Sequence, residues 1–264
     1  MLSYQHGYHA GNAADVHKHA LLAFMLDYLT AKDKPLSYVE THAGRGLYDL
    51  ASPEAVKTGE AAAGIARAEA FFDAGHPYLR ALAATRADHG SSAYPGSPLI
   101  AKALLRPGDT MHLAELHPGE NAALSQVAGR AKVYRTDGPA LAHSILPPTP
   151  RRGLLLIDPS YEVKADYAAM ARLLPELHRI WNVGILMLWY PILADGRHRV
   201  MTRALSAALP DGLRHEVGFA AARSGHGLTG SGVFIVNPPW GTNEQAALLD
   251  GLFERLRQSL RNPA

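Results

Sequence analysis

The sequence predicts an α/β fold: a doubly wound, mostly parallel sheet of seven strands with helices on both faces. A C-terminal antiparallel hairpin and an inserted helical subdomain complete it. Three observations predict this. Short apolar runs alternate with helix-length amphipathic segments along the chain. The runs are too apolar to have a solvated face, as in parallel strands covered on both sides. Two late strand-like segments lie close enough to pair as a hairpin.

The elements follow in order. Asn12 is placed to cap a helix, with Asp15 three residues on, and the helix runs through "VHKHALLAFMLDYLTA". Its middle, from Ala20 to Leu26, is apolar on all sides and so is expected to be buried. "LSYVET" (36–41) is a strand, followed by the glycine turn "HAGRG" (42–46). Residues 53–90 are alanine-rich and helical in pattern, the inserted subdomain of an otherwise single domain spanning 1–264. "GSPLIAKALL" opens a helix with Ser97 as N-cap and Pro98 in the first turn. Strands are expected at 110–116, 131–138 and 153–158, with a helix in "GENAALSQVAG". "DYAAMARLLPELHRIW" is a helix and "VGILMLWYP" a strand. After a further helix come the hairpin strands "LRHEVGFA" and "GSGVFIVN".

Composition narrows the class. The chain of 264 residues is 47% hydrophobic, enough for a substantial core. No charge-free run reaches about 18 apolar residues, so no membrane span is expected. The N-terminal segment lacks the apolar core of a secretory signal, and a cytoplasmic location is expected. With no cysteine, disulfides and thiolate metal sites are excluded. The net charge of +2 permits nucleic-acid binding without demanding it.

In doubly wound sheets ligands bind beyond the carboxyl ends of the parallel strands. Those ends carry His42 and Gly44 after the first strand, Glu115 after the second, Asp137 and Gly138 after the third, and Asp158 after the fourth. A glycine turn admits a ligand close to the backbone. An acid ending the second strand can accept both hydroxyls of a ribose. Asp137 can accept from the exocyclic amine of an adenine. Together they describe a pocket for an adenosine.

"LLLIDPSYE" (154–162) adds the reacting end. A strand ending in Asp/Asn-Pro-Pro-Tyr/Phe marks amino-group methyltransferases that use S-adenosylmethionine. An adenine N6 is a poor nucleophile because its lone pair is delocalised into the ring. Asp158 and the carbonyl of Pro159 can accept its two hydrogens and aim the lone pair at the methyl group. Tyr161 is expected to stack on the extruded base.

"MLSYQHGYHAGNAADVHKH", "ETHAGRG", "YPGSPLIA", "AELHP", "DG", "IDPSYE", "LWYP" and "NPPW" occur in the order and approximate spacing of one bacterial family. The chain resembles the 23S ribosomal RNA adenine-N6 methyltransferases, once described as proteins for using external DNA. The resemblance implies a Rossmann-like methyltransferase domain, one S-adenosylmethionine, and naked 23S ribosomal RNA as substrate, met before the ribosome is fully assembled. It places Lys18, His19, His42, Ser97, Glu115, Asp137, Gly138 and Asp158 at the cofactor, with Asp158 as catalytic acceptor. It places Tyr4 and His6 at the substrate adenine. No obligate protein partner is implied. Ser160 stands where the family usually has a second proline, which would have stiffened the turn; activity is expected to survive the change. The same pocket would serve a DNA adenine methyltransferase or a protein for using external DNA. A non-catalytic nucleic-acid-binding domain is a third alternative, against which "DPSY" and Glu115 argue.

Three further features are read more plainly. "NPPW" (237–240) fits the generic signature, but it ends a hairpin strand, so it is expected to be a turn far from the cofactor, with Trp240 serving stability. His17 and His19, two apart, do not share a helix face, and no metal is expected. "RHRVMTR" (197–203) is either a phosphate-facing patch or an ordinary solvated helix face.

Overall fold

The computed structural model describes residues 6–219 and 227–261. In chain order the elements are α1 (Ala13–Thr30), β1 (Ser37–Glu40), β2 (Leu47–Asp49), α2 (Pro53–Thr58), α3 (Glu60–Ala63), α4 (Ile65–Ala68), α5 (Pro77–His89), β3 (Ala93–Pro95), α6 (Ser97–Leu104), β4 (Thr110–Ala114), α7 (Pro118–Val127), β5 (Lys132–Tyr134), α8 (Gly138–Ile145), β6 (Gly153–Ile157), α9 (Ala165–Ile180), β7 (Ile185–Leu193), α10 (His198–Ala208), β8 (Leu213–Gly218), β9 (Leu228–Val236) and α11 (Thr242–Arg261).

Seven strands form one sheet in the order β5-β4-β1-β6-β7-β9-β8. The first five run parallel, β9 is antiparallel to β7, and β8 pairs antiparallel with β9. Strand periodicity sorts the core into two layers. Tyr38, Leu154, Leu156, Met187, Val233 and Ile235 face a layer shared with α1, α5, α6, α7 and α11. Val39, Leu155, Ile157, Leu186, Leu188, Phe234 and Val236 face a layer shared with α8, α9 and α10. The doubly wound sheet expected from the apolar runs is therefore present, with both faces covered.

Four local differences separate structure from expectation. β2 and β3 form a small antiparallel ribbon of their own at the two ends of the segment that holds α2 to α5. α11 adds a final helix whose Leu249, Leu252, Phe253 and Leu256 complete the first core layer. Ser97 is not an N-cap: α6 starts at Ser97 behind Gly96, and the Ser97 hydroxyl bonds to Glu40 instead. Trp240 is 80% exposed, so it contributes little burial and its expected service to stability is not met.

"NPPW" lies at the far edge. Val236 pairs with Leu186 at the start of β7, opposite the carboxyl end where Leu193 pairs with Leu228. Among the described residues no helix is long and apolar enough to cross a membrane.

Candidate active site at the carboxyl edge of the sheet

The site begins with an unusual helix. α1 is almost wholly buried, yet its first turns carry Asp15, His17, Lys18 and His19. Asn12 caps it, accepting from the Asp15 amide at 2.8 Å. Charged groups this deep persist only when paired, and Asp15 and Lys18 join His6 and Asp158 in a chain. His6 Nε2 lies 2.9 Å from Asp15 Oδ2. Asp15 Oδ1 lies 3.1 Å from Lys18 Nζ, which donates to Asp158 Oδ2 at 2.6 Å. Burial works against the charge on Asp15, but His6, Lys18 and His19 outweigh it and hold the carboxyl well below its usual range. Burial likewise opposes the Lys18 charge, and the two carboxylates overcome it. Two carboxylates thus share one buried ammonium.

Asp158 ends β6, with Pro159 buried behind it and Ser160 exposed. Tyr161 departs from expectation. It takes a positive φ of 54°, and its ring turns into the second core layer, 5% exposed. The ring packs against Tyr167 at a centroid distance of 4.5 Å, and its hydroxyl donates to the Trp189 carbonyl at 2.9 Å. A ring held this way offers no open face to a base in this conformation. Trp189 lies beside the charged chain, its ring under the Lys18 ammonium at 5.5 Å.

Trp189 is itself held by a buried chain. The exposed carboxylate of Asp250 accepts from His215 Nε2 at 3.1 Å. His215 Nδ1 and His17 Nε2 share a hydrogen bond of 2.9 Å. His17 Nδ1 bonds to the Ser231 hydroxyl at 2.8 Å, and Ser231 accepts from the indole of Trp189 at 2.9 Å. Burial, then the neighbouring His215, hold His17 well below the usual histidine range.

The glycine turn meets Glu115. Gly44, at a φ of +61°, donates its amide to Glu115 Oε2 at 2.8 Å, and the His117 amide donates to Oε1 at 2.7 Å. A side chain at position 44 would also strike the Tyr48 hydroxyl, 2.6 Å from its Cβ. Glu115 is thus fixed at the end of β4, half-buried, with burial pushing its carboxyl up. Asp137 is exposed and caps α8, accepting from Ala140 at 3.1 Å. Gly138 is required by packing: a Cβ there would lie 2.0 Å from the Thr41 carbonyl. His42 is half-buried, bonded to Thr41 Oγ1 at 2.7 Å, and lies within electrostatic reach of Asp158 and Asp137. Burial lowers its pKa.

Ser97 and His19 close the far side. Ser97 bonds to Glu40, which also accepts from Tyr38 at 2.8 Å. Burial pushes Glu40 up to about 8, so at neutral pH it is largely protonated. His19 Nδ1 bonds to Tyr94 at 2.9 Å, while its Nε2 is buried without a hydrogen-bond partner. Burial drives His19 down to about 3.

The structure therefore gathers His6, Lys18, His42, Gly44, Ser97, Glu115, Asp137, Gly138, Asp158 and Pro159 along one edge of the sheet, with His19 buried beside Asp15. Tyr161 is near but turned away, and Tyr4 lies outside the described residues. Asp15, Glu40 and Trp189 join the site without having been anticipated as parts of it. Glu40 carried a signal, as the acid that ends β1 just before the glycine turn. Asp15 was legible only as part of the helix cap. Among the described residues no group of three or more metal-ligating side chains gathers.

Comparison with known proteins gives the family. Residues 33–262 match the family described as "Ribosomal RNA large subunit methyltransferase D, RlmJ". The chain is 40% identical over 252 residues to Ribosomal RNA large subunit methyltransferase J of Escherichia coli (strain K12), covering 93% of this chain and 90% of that protein. It is 37% identical over 248 residues to the protein of the same name from Haemophilus influenzae (strain ATCC 51907 / DSM 11121 / KW20 / Rd), covering 91% and 88%. Among solved structures, protein LPL1258 from Legionella pneumophila str. Philadelphia 1 superposes with a TM-score of 0.83 at 33% identity, covering 97% of this chain and 95% of that one.

Proposed function

The chain belongs to the ribosomal RNA large subunit methyltransferase D, RlmJ family, and from that premise we propose that it methylates the N6 amine of an adenine in 23S ribosomal RNA. The observation that carries the chemistry is Asp158, presented at the carboxyl edge and held through Oδ2 by the buried Lys18. That bond orients the carboxylate and leaves Oδ1 to accept one N6 hydrogen. The Pro159 carbonyl accepts the other. Two acceptors in fixed positions draw the nitrogen lone pair out of the ring and aim it, an orientation effect. Asp158 then holds the proton that the nitrogen sheds on its way to solvent.

The cofactor proposed is S-adenosylmethionine, which when bound supplies an electrophilic methyl group on a sulfonium. The donor and acceptor set fits such a group. Glu115, already fixed by two amides, faces ribose hydroxyls with its remaining lone pairs. Asp137 keeps an oxygen for an adenine amine. The unpartnered Nε2 of His19 has a proton or lone pair to give a polar ligand. The carboxylates of Asp15 and Asp158 favour a sulfonium nearby. His6 lies over Asp15 on the substrate side, edge-on to Tyr48.

Such an enzyme acts in the cytoplasm, on RNA not yet buried by ribosomal proteins. The test is incubation of unmodified total RNA, and separately of DNA, with labelled S-adenosylmethionine, followed by nucleoside mass analysis. N6-methyladenosine in large-subunit RNA is expected. Label confined to DNA, or absent from both, would reject the proposal.

A further inference from the structure

Beside the catalytic turn, on the face covered by α9 and α10, lies an open cleft of about 520 Å³. Its floor is apolar, formed by alanines of both helices with Val200 and Met201. Its rim is cationic, formed by Lys164, Arg172 and Arg197. Asp195 also lines it and is paired with Arg197, a surface pair of the kind that exchanges partners at little cost. Arg199 and Arg203 are exposed on α10 and extend the positive stripe beyond the cleft. One side chain in the lining is unexplained by folding. Tyr167 is 5% exposed, and its hydroxyl is buried with no hydrogen-bond partner. Burial raises its pKa to about 12, so it remains a donor.

The cleft is coupled to the active edge by short connections. Lys164 is six residues beyond Asp158, which keeps it within about 20 Å along the chain. Tyr161, three residues from Asp158, packs on Tyr167 and points its hydroxyl at Met201 Sδ, 3.9 Å away. An apolar floor with a cationic rim and one buried hydroxyl suits a sugar–phosphate chain. The floor takes a ribose or base face, the rim takes phosphates, and the hydroxyl donates to an oxygen of the strand. We infer that the α9–α10 cleft binds the RNA strand immediately flanking the target adenine, with Lys164, Arg172 and Arg197 on phosphates and Tyr167 donating to the backbone. This rests on the proposed RNA methylation and adds a path for the substrate beyond the catalytic pocket. It also gives a use to the basic segment 197–203.

The test uses the full chain, with unmodified 23S ribosomal RNA transcript as substrate. Lys164→Ala/Arg172→Ala removes two exposed cations and leaves every residue of the cofactor site in place. It should raise KM for RNA about tenfold or more and make the salt dependence of kcat/KM shallower by roughly one to two in log–log slope. The kcat at saturating RNA and the affinity for S-adenosylmethionine, read by calorimetry, should match the wild type. Tyr167→Phe keeps the ring packing and should raise KM for RNA a few-fold at unchanged Tm. Wild-type KM and salt slope in the double variant would overturn the cleft as an RNA site. A change there but none in Tyr167→Phe would overturn the hydroxyl contact alone. A wild-type protein that methylates no RNA would instead overturn the function on which the inference rests.

Discussion

Two tetrapeptides of this chain, "DPSY" at 158–161 and "NPPW" at 237–240, look alike and do opposite things. Each follows a buried strand, and each contains a residue at positive φ: Tyr161 at 54° and Asn237 at 53°. The first ends a parallel strand, so its acid emerges where the other parallel strands also end. The second ends the antiparallel β9, so it emerges at the opposite edge. Their polar heads then meet different surroundings. Asp158 is gripped by a buried ammonium and is 14% exposed. Asn237 spends its amide on the carbonyls of Asn182 and Gly184, at 2.9 and 2.8 Å, and closes a turn. The aromatic residues invert as well: Tyr161 is buried, while Trp240 projects into solvent. A signature of this kind acquires chemistry only from the direction of its strand and from what lies across from its first residue.

The comparison is broken or sharpened by five substitutions, the largest effect first. Asp158→Ala should lower kcat by about a hundredfold to ten-thousandfold. Lys18 keeps Asp15 as a partner in this variant, so thermal unfolding should show an intact fold and calorimetry a cofactor affinity within a few-fold. Wild-type-like turnover would refute the role of the first tetrapeptide. Lys18→Met is the reverse case. It leaves two buried carboxylates without their cation, and chemical denaturation should show a loss of about 3–5 kcal/mol. Unchanged stability would show that the charged chain is not closed in solution.

Glu40→Gln tests the same edge through pH. Glu40 is raised from 4.5 in the unfolded chain to about 8 in the folded one. The native state therefore binds the extra proton between these values. Its contribution is fully present below about 4.5 and is lost as pH rises through about 8. The wild type should lose up to a few kcal/mol across that window through this group, and the variant should not. Parallel stability–pH curves for the two proteins would contradict a protonated Glu40.

At the far edge the effects should be smaller and purely structural. Asn237→Ala deletes two bonds to backbone carbonyls at a strained φ and should cost about 1–3 kcal/mol with kcat unchanged. Trp240→Ala should move stability by less than about 0.5 kcal/mol and leave methylation alone. A folded Trp240→Ala protein that binds cofactor and fails to methylate would mean that the second tetrapeptide had been misjudged.

The parallel core and the strand ends were legible in the sequence because they depend on local contrast. "LLLI" running into Asp158, or "MHLA" into Glu115, marks the edge where burial stops. What escaped depends on distance or on direction. β2 and β3 are three residues each, too short to alternate. Asp15 sits where a cap partner belongs, and nothing nearby in sequence reveals that it shares a lysine with residue 158. Ser97 has the side chain of an N-cap, but a buried Glu40 on another strand claims its hydroxyl. Tyr161 has the right identity for stacking, yet one positive φ sends the ring into the core. α11 was marked by Ala246, Leu249, Leu252, Phe253 and Leu256 at three- and four-residue steps, a signal present but passed over in favour of the motif just before it.

The buried polar face of α1 also sets an order of events during synthesis. Lys18 waits for a partner 140 residues later, and His17 for one 214 residues later. At roughly 5–20 residues per second, the helix made first spends on the order of 10–40 s before Ser231 has even been added. Until Asp158 is made Lys18 lacks one of its two carboxylates, and until Ser231 is made His17 lacks its hydroxyl partner. The buried polar groups of α1 therefore gain their full set of partners only once β9 has been made. The catalytic edge thus ties the oldest part of the chain to strands made much later.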